Sequence, residues 1–196
     1  MNVESAERYI LNLLKNELSK TLFYHGIHHV LDVKEAVQVL AQKENLTGDE
    51  CLDLLKTAAL YHDCGFLDTY QDHEEAGCSI ARKVLPDFDF TPEQIETICG
   101  MIMATKIPQN PKTHLEEILC DADLDYLGRD DFEPIAQTLF EELKARNIVS
   151  DIAVWNSIQV KFLKSHHYWT KSARESRETM KQKRLEELIK GENVNG

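Results

Sequence analysis

The chain is 196 residues long, carries a net charge of −12 and is 42% hydrophobic. This length and apolar content are enough for one domain with a single sizeable core. The negative charge argues against binding to duplex nucleic acid or a membrane surface, because both require a surplus of Lys and Arg. Residues 161–196 nevertheless hold 9 basic against 5 acidic side chains. That basic segment indicates either a local anion site or a solvated helix face that contacts the acidic remainder.

The sequence carries no sign of a targeting segment. No apolar run is long enough to span a membrane, and the N-terminal segment MNVESAERYILNLLKNELSK is amphipathic and contains acidic residues. The five cysteines are widely spaced and never form a C-x-x-C pair, which argues against a disulfide framework or a thiolate zinc site. We therefore expect a cytoplasmic protein. No feature of the sequence indicates its oligomeric state.

Helical periodicity runs through the whole sequence. Apolar residues recur at three- and four-residue spacing, and no alternating β-branched run competes with them. Thr47 with Glu50 and Thr91 with Gln94 form capping-box patterns, which predict helix starts near residues 48 and 92. In chain order, the predicted helices cover residues 4–19, 28–44, 48–62, 73–85, 92–104, 113–125, 131–146, 150–168 and 171–190.

The predicted helices are expected to form one domain. Breaks fall at Gly48, Gly65, Pro86, residues 106–111 and Gly128, but no low-complexity linker divides the chain and no repeat is present. We expect a single all-α domain over residues 1–190. In this domain the helices within 131–190 pack on the preceding part, and residues 191–196 form a disordered tail.

Potential metal ligands concentrate at four places in the sequence. The four groups are His25, His28 and His29; His62 and Asp63; His73 and Glu74; and Asp121, Asp123 and Asp125. Each group has an ordinary explanation when it is considered alone. A single histidine on a helix is more often a surface or core side chain than a ligand, and aspartates near helix ends often serve as caps.

Two of these groups point more strongly to a metal. Neighbouring residues inside a helix point about 100° apart, so His62 and Asp63 can reach one ion only where their helix ends, and Gly65 predicts an end there. Asp123 lies in an apolar context, where a carboxylate without a partner is costly to bury. Two imidazoles and two carboxylates would form a mixed nitrogen and oxygen site for a divalent ion such as Mn²⁺, Fe²⁺, Co²⁺, Ni²⁺, Zn²⁺ or Mg²⁺.

The order of these groups resembles that of the HD-domain superfamily of metal-dependent phosphohydrolases. The segments YHGIHHVLDV, LYHDCG and DADLDYLG resemble the family's first-histidine helix, its H-D segment and its last-aspartate segment, and all lie within residues 20–128. The resemblance implies a helical bundle of about eight or nine helices with a metal site in its core. It also implies that His29, His62, Asp63 and Asp123 are the metal ligands. Asp123 is selected over Asp121 because the family's last aspartate follows an alanine, and Ala122 precedes Asp123.

The resemblance is weaker where some members hold a second metal. The segment HEEAGCSIARKVL, which begins at His73, resembles the helix that follows the H-D pair, and ATKIPQNP leads to the last motif. Members with two metals carry additional histidines near both regions, whereas this chain has Thr105 and Lys106 at the second one. We therefore expect one divalent ion, and the ligand set does not select its identity.

The same resemblance assigns roles near the ion. His25 lies four residues before His29, so the two share a helix face, whereas His28 points elsewhere. In the HD-fold cyclic-nucleotide phosphodiesterases, which this arrangement resembles, the first histidine protonates the departing oxygen. This implies that His25 is a catalytic acid, although it could simply line the helix entry. Asp63 is expected to help hold the attacking water as well as the ion.

A phosphorylated substrate also needs cationic partners beyond the metal. Lys106, in a proline-punctuated loop, is the first candidate for a catalytic and substrate-binding cation, and an exposed loop lysine is the ordinary alternative. His73, His166 and Arg174 are further expected substrate-binding residues. Arg174 begins a basic stripe that either folds over the site or pairs with the acidic surface. The other members of the stripe are Arg177, Lys181 and Arg184.

These expectations predict an enzyme. The predicted activity is hydrolysis of a phosphoester bond in a small phosphorylated metabolite by metal-activated water, with a nucleotide as the favoured substrate. The alternative is a regulatory HD module that binds a nucleotide without turnover, against which the intact ligand set argues. A third possibility, a helical scaffold without catalytic function, predicts no bound metal.

Overall fold

Helices account for the regular secondary structure of the part of the chain that the computed structural model describes, which is residues 1–194, with side chains described through residue 191. Within these residues there is no β-strand, so the all-α prediction is confirmed. The helices are α1 (Val3–Glu17), α2 (Ile27–Lys43), α3 (Asp49–Tyr61), α4 (His73–Val84), α5 (Pro92–Thr105), α6 (His114–Asp123), α7 (Phe132–Ala145), α8 (Ile152–Ser165) and α9 (Lys171–Val194).

Local capping explains where several helices begin. Thr91 and Gln94 form the predicted capping box at the start of α5, and Thr113 with Glu116 forms a second one at the start of α6 that the sequence analysis missed. The box predicted at Thr47 is wrong, because Gly48 is the N-cap of α3 and no side chain caps that helix. At the other end of the chain α9 continues to Val194, and residues 195–196 of the expected tail lie outside the described residues.

Two clusters of buried side chains meet near the last aspartate motif. The larger cluster is formed mainly by α1 to α6 and includes Leu119 and Ala122. The smaller one is formed mainly by α7 to α9 and includes Leu124 and Tyr126. Asp123 therefore lies where the chain passes from one core to the other, and its carboxylate is held between them.

A close helix approach brings the H-D segment against α4. After α3 ends, residues Cys64–Leu67 form a 3₁₀ turn, and the backbone of α4 passes directly over Gly65. A Cβ atom on Gly65 would lie 1.8 Å from the His73 carbonyl oxygen and 2.7 Å from the Gly77 nitrogen. Gly65 therefore does more than end a helix, because the absence of its side chain lets His73 lie next to Asp63.

Asp121 joins α6 to the start of α9. Its buried carboxylate accepts hydrogen bonds from the Trp169 and Thr170 backbone nitrogens at 2.8 and 2.7 Å, and from the Thr170 hydroxyl at 2.7 Å. Burial raises the pKa of Asp121 to about 6, against the effect of these donors. The Asp121 carboxylate thus holds the connection between α8 and α9 through three hydrogen bonds.

Length and hydropathy decide whether a helix can cross a bilayer. Within the described residues, none of the helices combines the length and the hydropathy that crossing a bilayer would require.

Replacement of Gly65 by Ala should destabilise the protein by about 3 kcal/mol or more, because the added Cβ overlaps the backbone of α4. Urea unfolding followed by circular dichroism measures the free energy of unfolding. Gly191→Ala is the matched control, since a Cβ there meets no atom within 4 Å and alanine favours a helix. Equal stability of the two variants would contradict the close approach at Gly65.

Candidate metal centre and adjoining cavity

Three side chains from different helices bring their donor atoms to one buried point. His29 lies in the first turn of α2, His62 caps the C-terminus of α3, and Asp123 is the last residue of α6. The His29 Nε2 atom lies 3.0 Å from Asp123 Oδ1 and 3.3 Å from His62 Nε2. These three residues form a group whose donor atoms could hold one metal ion.

Asp63 adds a fourth donor to this group. Its Oδ2 atom lies 3.2 Å from His62 Nε2 and 3.6 Å from His29 Nε2. This oxygen is buried, and it accepts no hydrogen bond of good geometry. A buried carboxylate oxygen without a hydrogen-bond donor is costly, so its position favours a cation at the point shared by the four side chains.

The orientation of His62 is set by the end of its own helix. The Nδ1 atom donates a hydrogen bond of 2.7 Å to the Ala59 carbonyl oxygen, which leaves Nε2 directed at the two carboxylates. A backbone acceptor of this kind is the usual partner of a metal-binding imidazole. Burial alone would lower the pKa of His62, but Asp63 and Asp123 outweigh it and hold that pKa well above its ordinary value. The carboxylates thus create a point that strongly attracts a proton or a cation.

The donor set fits a divalent ion. Five donor separations around the shared point range from 3.0 to 3.6 Å, as expected for ligands that each lie about 2 Å from one central ion. Imidazole and carboxylate donors together suit first-row divalent metals. All four predicted ligands are therefore assembled, and the choice of Asp123 over Asp121 agrees with the use of the Asp121 carboxylate elsewhere.

His25 lies beside this group and is held by a buried glutamate. Its Nδ1 atom donates a hydrogen bond of 2.6 Å to Glu142 Oε1, on α7. The other carboxylate oxygen accepts from the Tyr24 and His25 backbone nitrogens at 2.9 and 3.1 Å, and the Tyr70 hydroxyl donates to Oε1 at 2.9 Å. Burial alone would raise the pKa of Glu142, but the interaction with His25 and the backbone donors lower it. Glu142 is thus an ionised anchor for the segment before α2.

His73 occupies the opposite side of Asp63. Its Nε2 atom lies 3.4 Å from Asp63 Oδ1 and 3.6 Å from Glu74 Oε1. Phe66 stacks on the His73 ring at 4.0 Å between centroids and contacts the His25 ring at 4.4 Å. Phe66 thereby lies against both histidines beside the metal-type group, which consists of His29, His62, Asp63 and Asp123. His28, by contrast, is exposed and does not belong to the donor group.

A cavity of about 290 Å³ opens at the metal-type group. At that end it is lined by His25, Asp63, His73, Glu74 and Asp123. From there it extends between the segment after α6 and helices α7 and α8, where side chains of the second core form most of its wall. A concave site with a few converging polar groups at one end is the usual form of a small-molecule site.

The expected cationic partners lie elsewhere. The Lys106 ammonium pairs with Asp72 and Glu75 at 2.7 and 2.6 Å on the surface, and Lys106 does not line the cavity. The expectation that it faces the substrate therefore receives no support from its position. The ordinary alternative, an exposed loop lysine, describes what the structure contains.

The basic stripe of α9 is likewise engaged within the protein. Arg174 donates to the Trp169 carbonyl oxygen at 2.5 Å, and Arg177 forms a two-point pair with Asp125 at 2.6 and 3.0 Å. Lys181 is buried and donates to the His166 carbonyl oxygen at 2.7 Å. The stripe was expected either to fold over the site or to pair with the acidic surface of the protein. These positions agree with pairing within the protein.

Among the described residues, His166 forms hydrogen bonds or ring contacts with Lys181, Phe162 and Tyr168, and none with the four residues of the metal-type group. It lines a separate small cavity near Pro108 and Trp169. Burial and the nearby Lys181 lower the pKa of His166 to about 3. This imidazole is therefore uncharged at neutral pH, which makes it a poor partner for a phosphate. His73 is the one expected substrate-binding residue that lines the larger cavity.

Sequence reasoning missed Glu142 and the aromatic residues around His25. One signal for Glu142 was available, because it continues the apolar helical spacing of Ile135 and Leu139 on α7, at the position where a buried side chain is expected. A charged residue at such a position indicates a buried partner. The identity of that partner, more than a hundred residues earlier in the chain, could not be read from the local pattern.

Comparison with known proteins agrees with this geometry. The HD domain family matches residues 26–125, which is about half of the chain and contains all four metal-type ligands. A crystal structure of a protein from an uncultured Thermotogales bacterium, described as a predicted HD superfamily hydrolase, has a similar fold. It is 21% identical, with 96% of this chain and 92% of that chain covered and a TM-score of 0.58. A search of curated proteins found no match.

Purified protein should retain about one equivalent of a divalent ion after prolonged dialysis, because the donors are already assembled. Elemental analysis should show loss of the ion in His62→Ala and in Asp123→Asn. Asp121→Asn is the matched control, since the Asp121 carboxylate binds backbone groups instead. Retention of the ion in a folded Asp123→Asn protein would contradict the ligand assignment.

Proposed function

Because this chain belongs to the HD domain family, we propose that it is a metal-dependent phosphohydrolase that cleaves a phosphoester bond of a small phosphorylated metabolite. The observation that carries this proposal is the buried group of two imidazoles and two carboxylates at the inner end of a cavity. A purely structural role would leave the buried Asp63 oxygen without a hydrogen bond of good geometry, at a cost that folding does not otherwise require.

The proposed ligands of the ion are His29, His62, Asp63 and Asp123. A divalent ion bound there would supply Lewis acidity, which acidifies water and draws electron density from a phosphoryl oxygen. The carboxylates at this site can also accept the proton that the attacking water gives up. In the net reaction a bond forms between the water oxygen and phosphorus, and the bond between phosphorus and the ester oxygen breaks.

His25 is the proposed acid for the departing oxygen. Its Nδ1–H is committed to Glu142 Oε1, so Nε2 is the nitrogen that can carry a second proton toward the substrate. The carboxylate stabilises the charge on the imidazolium and fixes the direction of the ring. His25 also lines the cavity, which puts it in reach of a bound ester. Glu142 acts in this proposal as a positioning residue.

His73 is proposed to bind the phosphoryl group and to hold Asp63. Its Nε2 atom lies near Asp63 Oδ1 at 3.4 Å, and it lines the same end of the cavity. A nucleotide, the substrate class favoured by the sequence, remains a candidate because aromatic side chains that could stack on a base line the cavity. The regulatory alternative would use the same cavity for binding without turnover.

Protein loaded with Mn²⁺, Co²⁺, Ni²⁺ or Mg²⁺ should release phosphate from at least one compound in a screen of phosphomonoesters, cyclic nucleotides and nucleoside triphosphates. His62→Ala should lower the rate by more than about 100-fold, because it removes an ion ligand. Phosphate is measured colorimetrically. If the wild-type protein released no phosphate from any compound while a nucleotide raised its melting temperature, the regulatory alternative would replace the proposal.

Replacement of His25 by Ala should lower kcat by about 10²-fold to 10⁴-fold, while the metal content stays that of the wild type. Glu142→Gln should also lower kcat, since the amide would place an N–H group against His25 Nδ1 and reverse the tautomer. Elemental analysis and steady-state kinetics on the best substrate of the screen measure both effects.

The double variant decides whether Glu142 acts through His25. Addition of Glu142→Gln to His25→Ala should cause little further loss of kcat if the two residues act as a unit. Glu141→Gln, on the neighbouring exposed position, is the control and should have wild-type activity. Full additivity of the two effects would show that Glu142 has a separate role.

A further inference from the structure

The cavity beside the metal-type group has two chemically different ends. Its charged and titratable lining residues are grouped around Asp63 and Asp123. The remaining wall is mainly aliphatic and aromatic, and representative members are Leu127, Phe132, Leu139, Trp155, Phe162 and Leu163. The two ends therefore offer separate environments to an anionic phosphoryl group and to the organic group attached to it.

No Lys or Arg lines the cavity in the part of the chain whose side chains are described. Lys106 is paired with two exposed carboxylates. Arg146 places its guanidinium 4.0 Å from the ring centroid of Tyr70 but does not line the cavity itself. A diphosphate or triphosphate chain needs several cationic partners, and this wall supplies none. The site thus suits a single phosphoryl group at the metal end.

The apolar end also has few groups that could bind a polar substituent. The Tyr70 hydroxyl is engaged by Glu142 and the Thr105 hydroxyl by the Ile102 carbonyl oxygen. Gln159 is the one side-chain amide among the lining residues with described side chains, and its Nε2 atom has only a long contact of 3.5 Å with Asn156. A sugar with several hydroxyl groups would lose hydrogen bonds to water here without adequate replacement.

The size of the cavity limits the organic group. An apolar cavity of about 150 Å³ binds benzene, so a volume of about 290 Å³ encloses roughly a dozen non-hydrogen atoms, including those of the phosphoryl group at the metal end. Ile107 and Ile158 line the cavity and are 54% and 38% exposed, which gives its mouth an apolar rim. Beside the phosphoryl group, a branched aliphatic group fits inside and a fused ring pair reaches the apolar mouth, whereas a nucleoside is substantially larger.

We propose that the substrate is a phosphomonoester of an uncharged, mainly apolar alcohol or phenol of about ten non-hydrogen atoms or fewer. This inference rests on the proposed function and narrows its substrate away from nucleotides. The phosphoryl group lies at the metal end and the organic group lies in the apolar end, on the side of His25. Hydrolysis breaks the phosphorus–oxygen ester bond, water supplies the new oxygen on phosphorus, and His25 delivers the proton to the departing oxygen.

The test compares esters whose leaving groups are matched in reactivity. The full-length Mn²⁺-loaded protein is assayed with two pairs of esters. The first pair is 1-naphthyl phosphate and 4-carboxyphenyl phosphate, whose leaving phenols have similar acidity. The second pair is hexyl phosphate and glycerol 3-phosphate. The apolar member of each pair should have a kcat/KM higher by roughly 100-fold, because only its organic group gains from leaving water. ATP and AMP should be poorer substrates than 1-naphthyl phosphate.

A charge at the cavity mouth supplies the second arm of the test. Ile158→Lys should raise KM for 1-naphthyl phosphate by about 10-fold or more, since the apolar rim is interrupted by a cation. Ile152→Lys is the matched control on the same helix, because Ile152 is 54% exposed and does not line the cavity. It should behave like the wild type.

The outcomes separate this inference from the proposed function. Suppose that hydrolysis depends on the metal and is lost in His62→Ala, but that kcat/KM for the polar member of each pair equals or exceeds that for the apolar member. This result would overturn the apolar substrate and leave the phosphohydrolase in place. If no ester is hydrolysed, calorimetric titration of the same four compounds still decides the inference. Tighter binding of 1-naphthyl and hexyl phosphate would support it, and equal or weaker binding would overturn it.

Discussion

The central constraint on this structure is the crowding of two imidazoles and two carboxylates at one buried point. The Nε2 atoms of His29 and His62 each lie 3.0 to 3.6 Å from an oxygen of Asp63 and an oxygen of Asp123, and the helices around them end or begin where those atoms meet. Two carboxylates in a low-dielectric interior require positive charge between them. The ends of α2, α3 and α6, the close passage of α4 over Gly65 and the meeting of the two cores all serve to hold this arrangement.

The part of the chain outside the family match completes the site. The HD domain match ends at residue 125, yet Glu142 on α7 holds His25, and α8 contributes Trp155, Ile158 and Phe162 to the cavity wall. The residues within the family match thus supply the metal-type group, and residues beyond it supply much of the cavity wall. The metal-type group accounts for the proposed chemistry, whereas the wall from α7 and α8 accounts for the proposed choice of organic group.

Local patterns in the sequence were sufficient to predict the helices and to select the proposed ligands, but insufficient for the residues at the apolar end of the cavity. Helix periodicity and capping placed all nine helices of the described residues close to their observed bounds, because those signals act over a few residues. The motifs around His62 and Asp123 led to the proposed ligands through resemblance to the HD family, and the structure brings these side chains together. Glu142, the apolar wall and the surface pairing of Lys106 depend on contacts between distant segments, which single-sequence patterns do not encode.

The most direct test of this account is anomalous diffraction from crystals of the protein grown with Mn²⁺. The account predicts one strong anomalous peak at the point shared by His29, His62, Asp63 and Asp123, within about 2.4 Å of a donor atom from each. A peak at another location, or an Asp63 carboxylate turned away to a protein hydrogen-bond donor with no peak beside it, would contradict the claim that this buried group is a metal site.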